Sequence, residues 1–197
     1  DPAVRSAQGS YRLRGNLPFE LTANGEVQAA NLKPVRVALE GRMGGDQLAA
    51  DRVRVDGYGG RADLRGSVGW QPDETWQLSG HIASLDTGLF DTRLAGRISF
   101  DMDANGEGFS PEGQLDLRIA RLGGVLRGGR ASGAGRVIRH GKALDFRDVD
   151  VRIGSTRARL DGGLAPDAWS LRFDVTADDL GLLDAEARGR FATRGTL

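Results

Sequence analysis

Asp101-x-Asp103-x-Asn105-Gly106-x5-Glu112 places four oxygen-bearing side chains at the intervals of a calcium-binding loop, with glycine where such a loop turns most sharply. The chemistry would be coordination of a hard cation by carboxylate and amide oxygens. That motif needs helices on both sides. Here Ile98, Phe100 and Met102 upstream, and Leu115, Leu117 and Ile119 downstream, alternate with polar residues as strands do. Gly108 also stands where the loop usually carries an aliphatic residue. A related stretch keeps Asn24-Gly25 but has Glu20 and Thr22 in place of the aspartates. Asn-Gly favours a two-residue hairpin turn by itself. A turn is therefore expected and no metal site, with Asp101, Asp103, Asn105 and Glu112 as the calcium candidates.

Other chemistry fares worse. From Gly135 to Gly141-Lys142 the spacing is one residue too long for a phosphate-binding loop, and Ala143 replaces the hydroxyl that would hold magnesium. A hairpin turn is the expectation there. His81 and His140 lie far apart in sequence with no cysteine to complete a ligand set. No Gly-x-Ser-x-Gly elbow is present, and most carboxylates alternate with arginine on what should be a solvated face. Trp70, Trp76 and Trp169 read as packing or interface anchors before sugar platforms. Neither an enzyme nor a cofactor is expected.

The elements that would carry these residues are strands. In Gly135 to Val175, the runs Val149-Val151-Ile153, Ala158-Leu160-Leu164 and Leu171-Phe173-Val175 put apolar residues on one face and Arg and Asp on the other. Gly154-Ser155-Thr156, and Gly162-Gly163 followed by Ala165-Pro166-Asp167, are the expected turns. The pattern repeats. Gly41 to Gly66 parallels Gly135 to Gly162, and Arg12-Leu13 to Glu26 recurs as Arg93-Leu94 to Glu107. Duplicated units are expected at about 11–91 and 92–184, with a third begun at 185–197, as in a fragment of a longer repetitive array.

Composition agrees. Thirty glycines among 197 residues, without a Gly-X-Y period, suit tight turns and close strand stacking. A formal charge of zero argues against nucleic acid as a partner. Absence of cysteine leaves the redox compartment open. No apolar run reaches the roughly 18 residues of a membrane span, so any anchor is expected outside this fragment.

Alternation predicts strands over 11–23, 33–43, 46–57, 60–70, 75–83, 93–103, 112–120, 130–139, 142–153, 156–164, 169–177 and 185–195. The first ten residues read as a linker or fraying edge. Leu122 to Gly135 reads as a bulged strand or a flap, and Leu85–Phe90 and Leu180–Leu183 as short helical turns. Period-two register assigns one inward stripe: Leu17, Phe19, Val37, Leu39, Val53, Val55, Leu64, Val68, Leu78, Ile82, Ile98, Phe100, Leu115, Leu117, Val151, Leu160, Leu171 and Phe173. Such a stripe must close into a dry core or be covered by something else. An all-β, repetitive and strongly curved sheet follows. Either it is an open groove for acyl chains, or it is a closed solenoid that binds partners through its exterior. Glycine and alanine among the large side chains leave too little bulk to fill a closed interior, which favours the groove.

With its glycine-punctuated repeats, the short turns at Asp86 and Asp179-Leu180, and the closing pattern at Leu183, Asp184 and Gly189, the chain from about residue 40 to 197 resembles the TamB family and its AsmA-like relatives. The resemblance implies a periplasmic β-taco, a curved sheet round a hydrophobic groove that bridges the two membranes of a Gram-negative cell. It implies anchorage in the inner membrane by another part of the protein, and partnership with an Omp85-type outer-membrane barrel, TamA-like. It further implies phospholipid transport, outer-membrane protein assembly, or both, and supplies no catalytic residues.

Overall fold

The computed structural model describes residues 4–29, 33–70, 74–108, 110, 113–178 and 189–196. Among them a single antiparallel sheet runs β1 to β13, each strand hydrogen-bonded only to its neighbours in sequence. The strands are β1 Val4–Arg14, β2 Phe19–Ala29, β3 Val35–Met43, β4 Gln47–Gly57, β5 Gly60–Gly69, β6 Thr75–Asp86 and β7 Gly96–Glu107. Then come β8 Gln114–Leu126, β9 Gly129–His140, β10 Ala143–Ile153, β11 Thr156–Ala165, β12 Ala168–Ala177 and β13 Phe191–Thr196. β1 and β13 are the two edges and do not pair with one another. The sheet is open, so the closed solenoid is not the arrangement adopted.

Local chemistry explains the hairpins. Tyr58-Gly59 and Arg127-Gly128 both have positive φ (50° and 70°, 50° and 78°), the turn whose twist matches the flanking strands. Gly141-Lys142 closes β9 onto β10 in the hairpin expected of it, since His140 pairs with Ala143. The segment Leu122 to Gly135 is the bulged end of β8, a turn, and the start of β9. Asp86 accepts from Gly88 N at 3.0 Å and starts the short 3-10 turn Thr87–Leu89, within the expected Leu85–Phe90; Asp91 does the same from Arg93 N for a second, Thr92–Leu94. The other expected helical turn, Leu180–Leu183, lies outside the described residues.

Four expectations are corrected. Residues from Val4 onward are not a linker but edge strand β1, held by backbone pairing with β2 that needs no apolar alternation. The expected strand 11–23 is two strands joined over Gly15–Pro18; the proline, which lacks an N–H for the ladder, stands where the related copy has Ser99 inside a strand. Asn24-Gly25 and Asn105-Gly106 lie within strands, Gly25 opposite Gly9 and Val37, Gly106 opposite Trp76 and Leu115. Gly162-Gly163 likewise lies inside β11, and the turn after it is Pro166-Asp167. Gly25, Gly106 and Gly162 serve close backbone approach instead of chain reversal.

Register shifts interrupt most strand pairs near mid-strand, for example between Ala50 and Val53, Ile82 and Leu85, Ile119 and Leu122, and Phe146 and Val149. Bulge residues Ser84, Arg121 and Asp148 take positive φ of 56°, 49° and 50°. Such bulges bend strands and sharpen their twist. The glycines show which way the sheet bends. On the apolar face, a Cβ added at Gly41, Gly80, Gly96 or Gly124 would fall 2.8–2.9 Å from the Cα of Ala50, Leu64, Leu126 or Ile98 on the neighbouring strand. On the opposite face, a Cβ at Gly123 meets nothing within 4 Å, and one at Gly163 meets its first atom at 3.7 Å. Neighbouring backbones therefore fold toward the apolar side, which is concave.

Candidate functional site: the apolar face

Residues directly opposed across a sheet share a face, so the pairing traces rows along the array. One row runs Leu21, Gly41, Ala50, Gly66, Leu78, Ala104, Leu117, Val137, Phe146, Gly162 and Leu171 from β2 to β12. The next contains Leu39, Val53, Leu64, Gly80, Met102 and Ile119, and resumes after a bulge with Val149, Leu160 and Phe173. A third contains Val37, Val55, Ala62, Ile82 and Phe100, then Val151. Ile98 lies one step further, opposite Leu85. At the other margin Phe19, Val68 and Leu115 share a row with Met43, Leu48 and Trp76. Seventeen of the eighteen stripe residues thus fall on one face, all half-buried. Leu17 does not: it sits in the β1–β2 turn and is 64% exposed.

This face has no core behind it. Among the described residues no large side chain is fully buried, and the buried apolar residues are Ala104, Ala131, Ile138 and Ala177. The chain exposes 13023 Å², against about 9,000 Å² for a compact protein of its mass. Glycine recurs between bulky neighbours, as Gly106 does beneath the Trp76 ring, where a Cβ would lie 2.7 Å from the indole. The floor stays shallow as a result.

The other face is a lattice of ion pairs. Arg54 meets Asp63 at 3.1 Å, Arg61 meets Asp56 at 2.8 Å, Arg136 meets Asp116 at 2.6 Å and Arg194 meets Asp174 at 2.6 Å. Asp150 serves Arg157, at 3.0 Å from Nε, and Arg159 at 3.5 Å. Hydrogen bonds from Arg136 and from Arg157 hold the carboxyls of Asp116 and Asp150 below their ordinary range. Ile138 is buried on this side, opposite Asp116 and Asp145.

Of the calcium candidates, Asp101, Asp103 and Asn105 lie along strand β7 on the ion-paired face. Asp101 accepts from His81 Nδ1 at 2.8 Å and from Arg121 Nε, which together lower its pKa. Asp103 and Asn105 are exposed further along the strand. Four residues of extended chain put Asp101 and Asn105 about 13 Å apart, too far to ligate one ion whose oxygens lie about 2.4 Å away. Glu112 is outside the described residues. Among the described residues no three candidate ligands gather into a metal site.

One feature of the apolar face was not anticipated from sequence. Arg139 of β9 lies on it, opposite Leu115 and Leu144. Parity counted on from Val137 would have shown this, but Gly133 and Gly135 gave β9 no apolar stripe to count from.

Fold and faces together define an open, one-sided β-trough, apolar within and ion-paired without. The chain belongs to the family described as TamB, N-terminal domain, whose match covers residues 1–197. It is similar to the translocation and assembly module subunit TamB of Haemophilus influenzae, 20% identical over 190 residues. That alignment covers 94% of this chain and 14% of the relative, so the chain spans about one seventh of that protein's length. No solved structure matches the chain. Among the described residues no helix is long and apolar enough to cross a membrane.

Proposed function

We propose that the concave apolar face is one section of a periplasmic conduit that carries phospholipid acyl chains between the inner and outer membranes. The observation that carries this reading is an apolar face, broken among the described residues by one cation at its margin, left uncovered along the whole array. Thirteen strands about 4.8 Å apart make it on the order of 60 Å long, well beyond the width of one lipid, so lipids can follow one another along it and a longer protein must complete the path. Burying a methylene is worth about 0.8 kcal/mol, so a 16-carbon tail gains roughly 10 kcal/mol on such a wall. Transport requires that gain to be nearly constant from strand to strand, as repeated rows of aliphatic residues and glycine make it. The TamB relationship supports an Omp85-type barrel as the partner at the outer membrane. The relative's name also supports a role in outer-membrane protein assembly, in which the same face would take the apolar side of an incoming strand.

A photocrosslinker at Phe100 or Leu160 is expected to capture lipid, and one at Arg97 or Arg159 is not. Leu160→Arg in the full-length protein puts a desolvated charge in the path at a cost of several kcal/mol. It should abolish rescue of outer-membrane integrity while circular dichroism still reports sheet. Equal labelling of both faces, or full rescue by a folded Leu160→Arg protein, would overturn the reading.

A further inference from the structure

From β1 to β13, each in-register position on the apolar face whose side chain is described holds glycine, alanine, threonine or a larger apolar or aromatic residue, except Arg139. The chain has 27 Lys and Arg, so one on this side is a marked exclusion with a single exception. Arg139 is half-buried, and its Nε donates to the Gly113 carbonyl at 3.2 Å. No described carboxylate pairs with it. The rest of its guanidinium fork, the geometry that donates to two oxygens of one phosphate, has no described partner.

Its position adds a second observation. Arg139 stands near the end of β9 at one margin of the trough. In the same row, Trp76 lies three strands to one side and Trp169 three strands to the other, each about 14 Å away. Trp70 is at this margin too, donating to the Gly45 carbonyl at 2.9 Å. All three tryptophans of the chain therefore border the margin that holds the inward cation, an arrangement suited to the boundary between hydrocarbon and polar headgroup. From Leu115 to the bulge after Ile119 is four residues, about 13 Å. One leaflet's hydrocarbon is about 15 Å deep.

We infer that Arg139 is a headgroup station, binding the phosphodiester of a phospholipid at the tryptophan-lined margin while the acyl chains lie on the apolar face toward mid-strand. The inference rests on the lipid-conduit reading and adds to it a lipid orientation and a preference for phosphorylated lipids.

The test uses the full-length protein with vesicles containing phosphatidylglycerol that bears a photoactivatable group either on the headgroup or at the acyl terminus. Headgroup adducts should map to the β8–β10 margin and fall about tenfold in Arg139→Gln. They should persist in Arg118→Gln, a charge removed from the other face, and be only partly retained in Arg139→Lys, which keeps the charge and loses the fork. Acyl-terminus adducts near Leu160 should survive in every variant. As a check that needs no substitution, wild-type protein should capture phosphatidylglycerol about tenfold better than diacylglycerol of the same chains, and millimolar inorganic phosphate should not compete. Headgroup adducts unchanged in a folded Arg139→Gln, or equal capture of diacylglycerol, would overturn the station while leaving the conduit intact. Competition by inorganic phosphate would overturn the lipid as its ligand. Absence of acyl adducts from the apolar face of wild type would instead remove the conduit reading on which it rests.

Discussion

Gly66 and Gly163 differ in what lies above them. A Cβ on Gly66 would come within 3.0 Å of Leu78 Cα and closer still to the Gln77 carbonyl, backbone atoms that cannot swing away. Gly66→Ala should therefore cost about 2 kcal/mol or more, by forcing β5 and β6 apart where the sheet bends. Gly163 faces the convex side with its first neighbour at 3.7 Å and no positive φ. Gly163→Ala should be neutral or raise stability by about 0.5 kcal/mol, through reduced freedom of the unfolded chain. Urea midpoints of the two variants check this, and similar losses in both would contradict the assigned direction of curvature. At this scale the sequence was partly legible. Its glycine excess announced close approach, but which glycines turn the chain and which admit a neighbouring backbone depended on register.

At the scale of the strand, cross-strand Arg–Asp pairs on the convex face set a pH dependence. The carboxyls of Asp56, Asp101, Asp116 and Asp150 are held below their ordinary range there, chiefly by hydrogen bonds from arginine or, for Asp101, from His81, and so is Asp91, by Arg93 two residues on in the β6–β7 connection. The fold thus binds fewer protons than the unfolded chain near pH 4. Their contribution is present above the unfolded carboxyl value of about 3.9 and is lost as pH falls through the lower folded values. Thermal midpoints should be level from about pH 7 to 5 and decline below about pH 4, with a shallower decline in Asp150→Asn. A midpoint indifferent to acid would show that exposed pairs contribute nothing measurable. Strand identity was legible because alternation is local. Strand β1 and the split at Gly15–Pro18 were not, because an edge strand needs only backbone partners and the turn replaced a segment whose related copy continues as strand.

Among the described residues each strand is hydrogen-bonded only to its neighbours in sequence, so the sheet is close to one-dimensional, as in repeat proteins. Stability should then decrease toward the edges. Native-state hydrogen exchange is expected to show amides of β5 to β11 opening least and those of β1 and β13 opening first. Uniform protection across all thirteen strands would mean that a single cooperative core exists after all. An exposed area of 13023 Å² argues against such a core, and the same area is what leaves an apolar surface free to take acyl chains.

The residues themselves determined that this is a repetitive all-β array with one apolar face, because period-two alternation assigns each side chain its face without reference to any distant part of the chain. Tertiary structure alone decided that the sheet stays open, that it bends toward the apolar side, that the Asn-Gly pairs lie within strands, and that Arg139 stands inward among aliphatic neighbours. Those features depend on where bulges reset the register between adjacent strands. A shift of one residue moves a side chain from one face to the other, and only the paired backbones fix it.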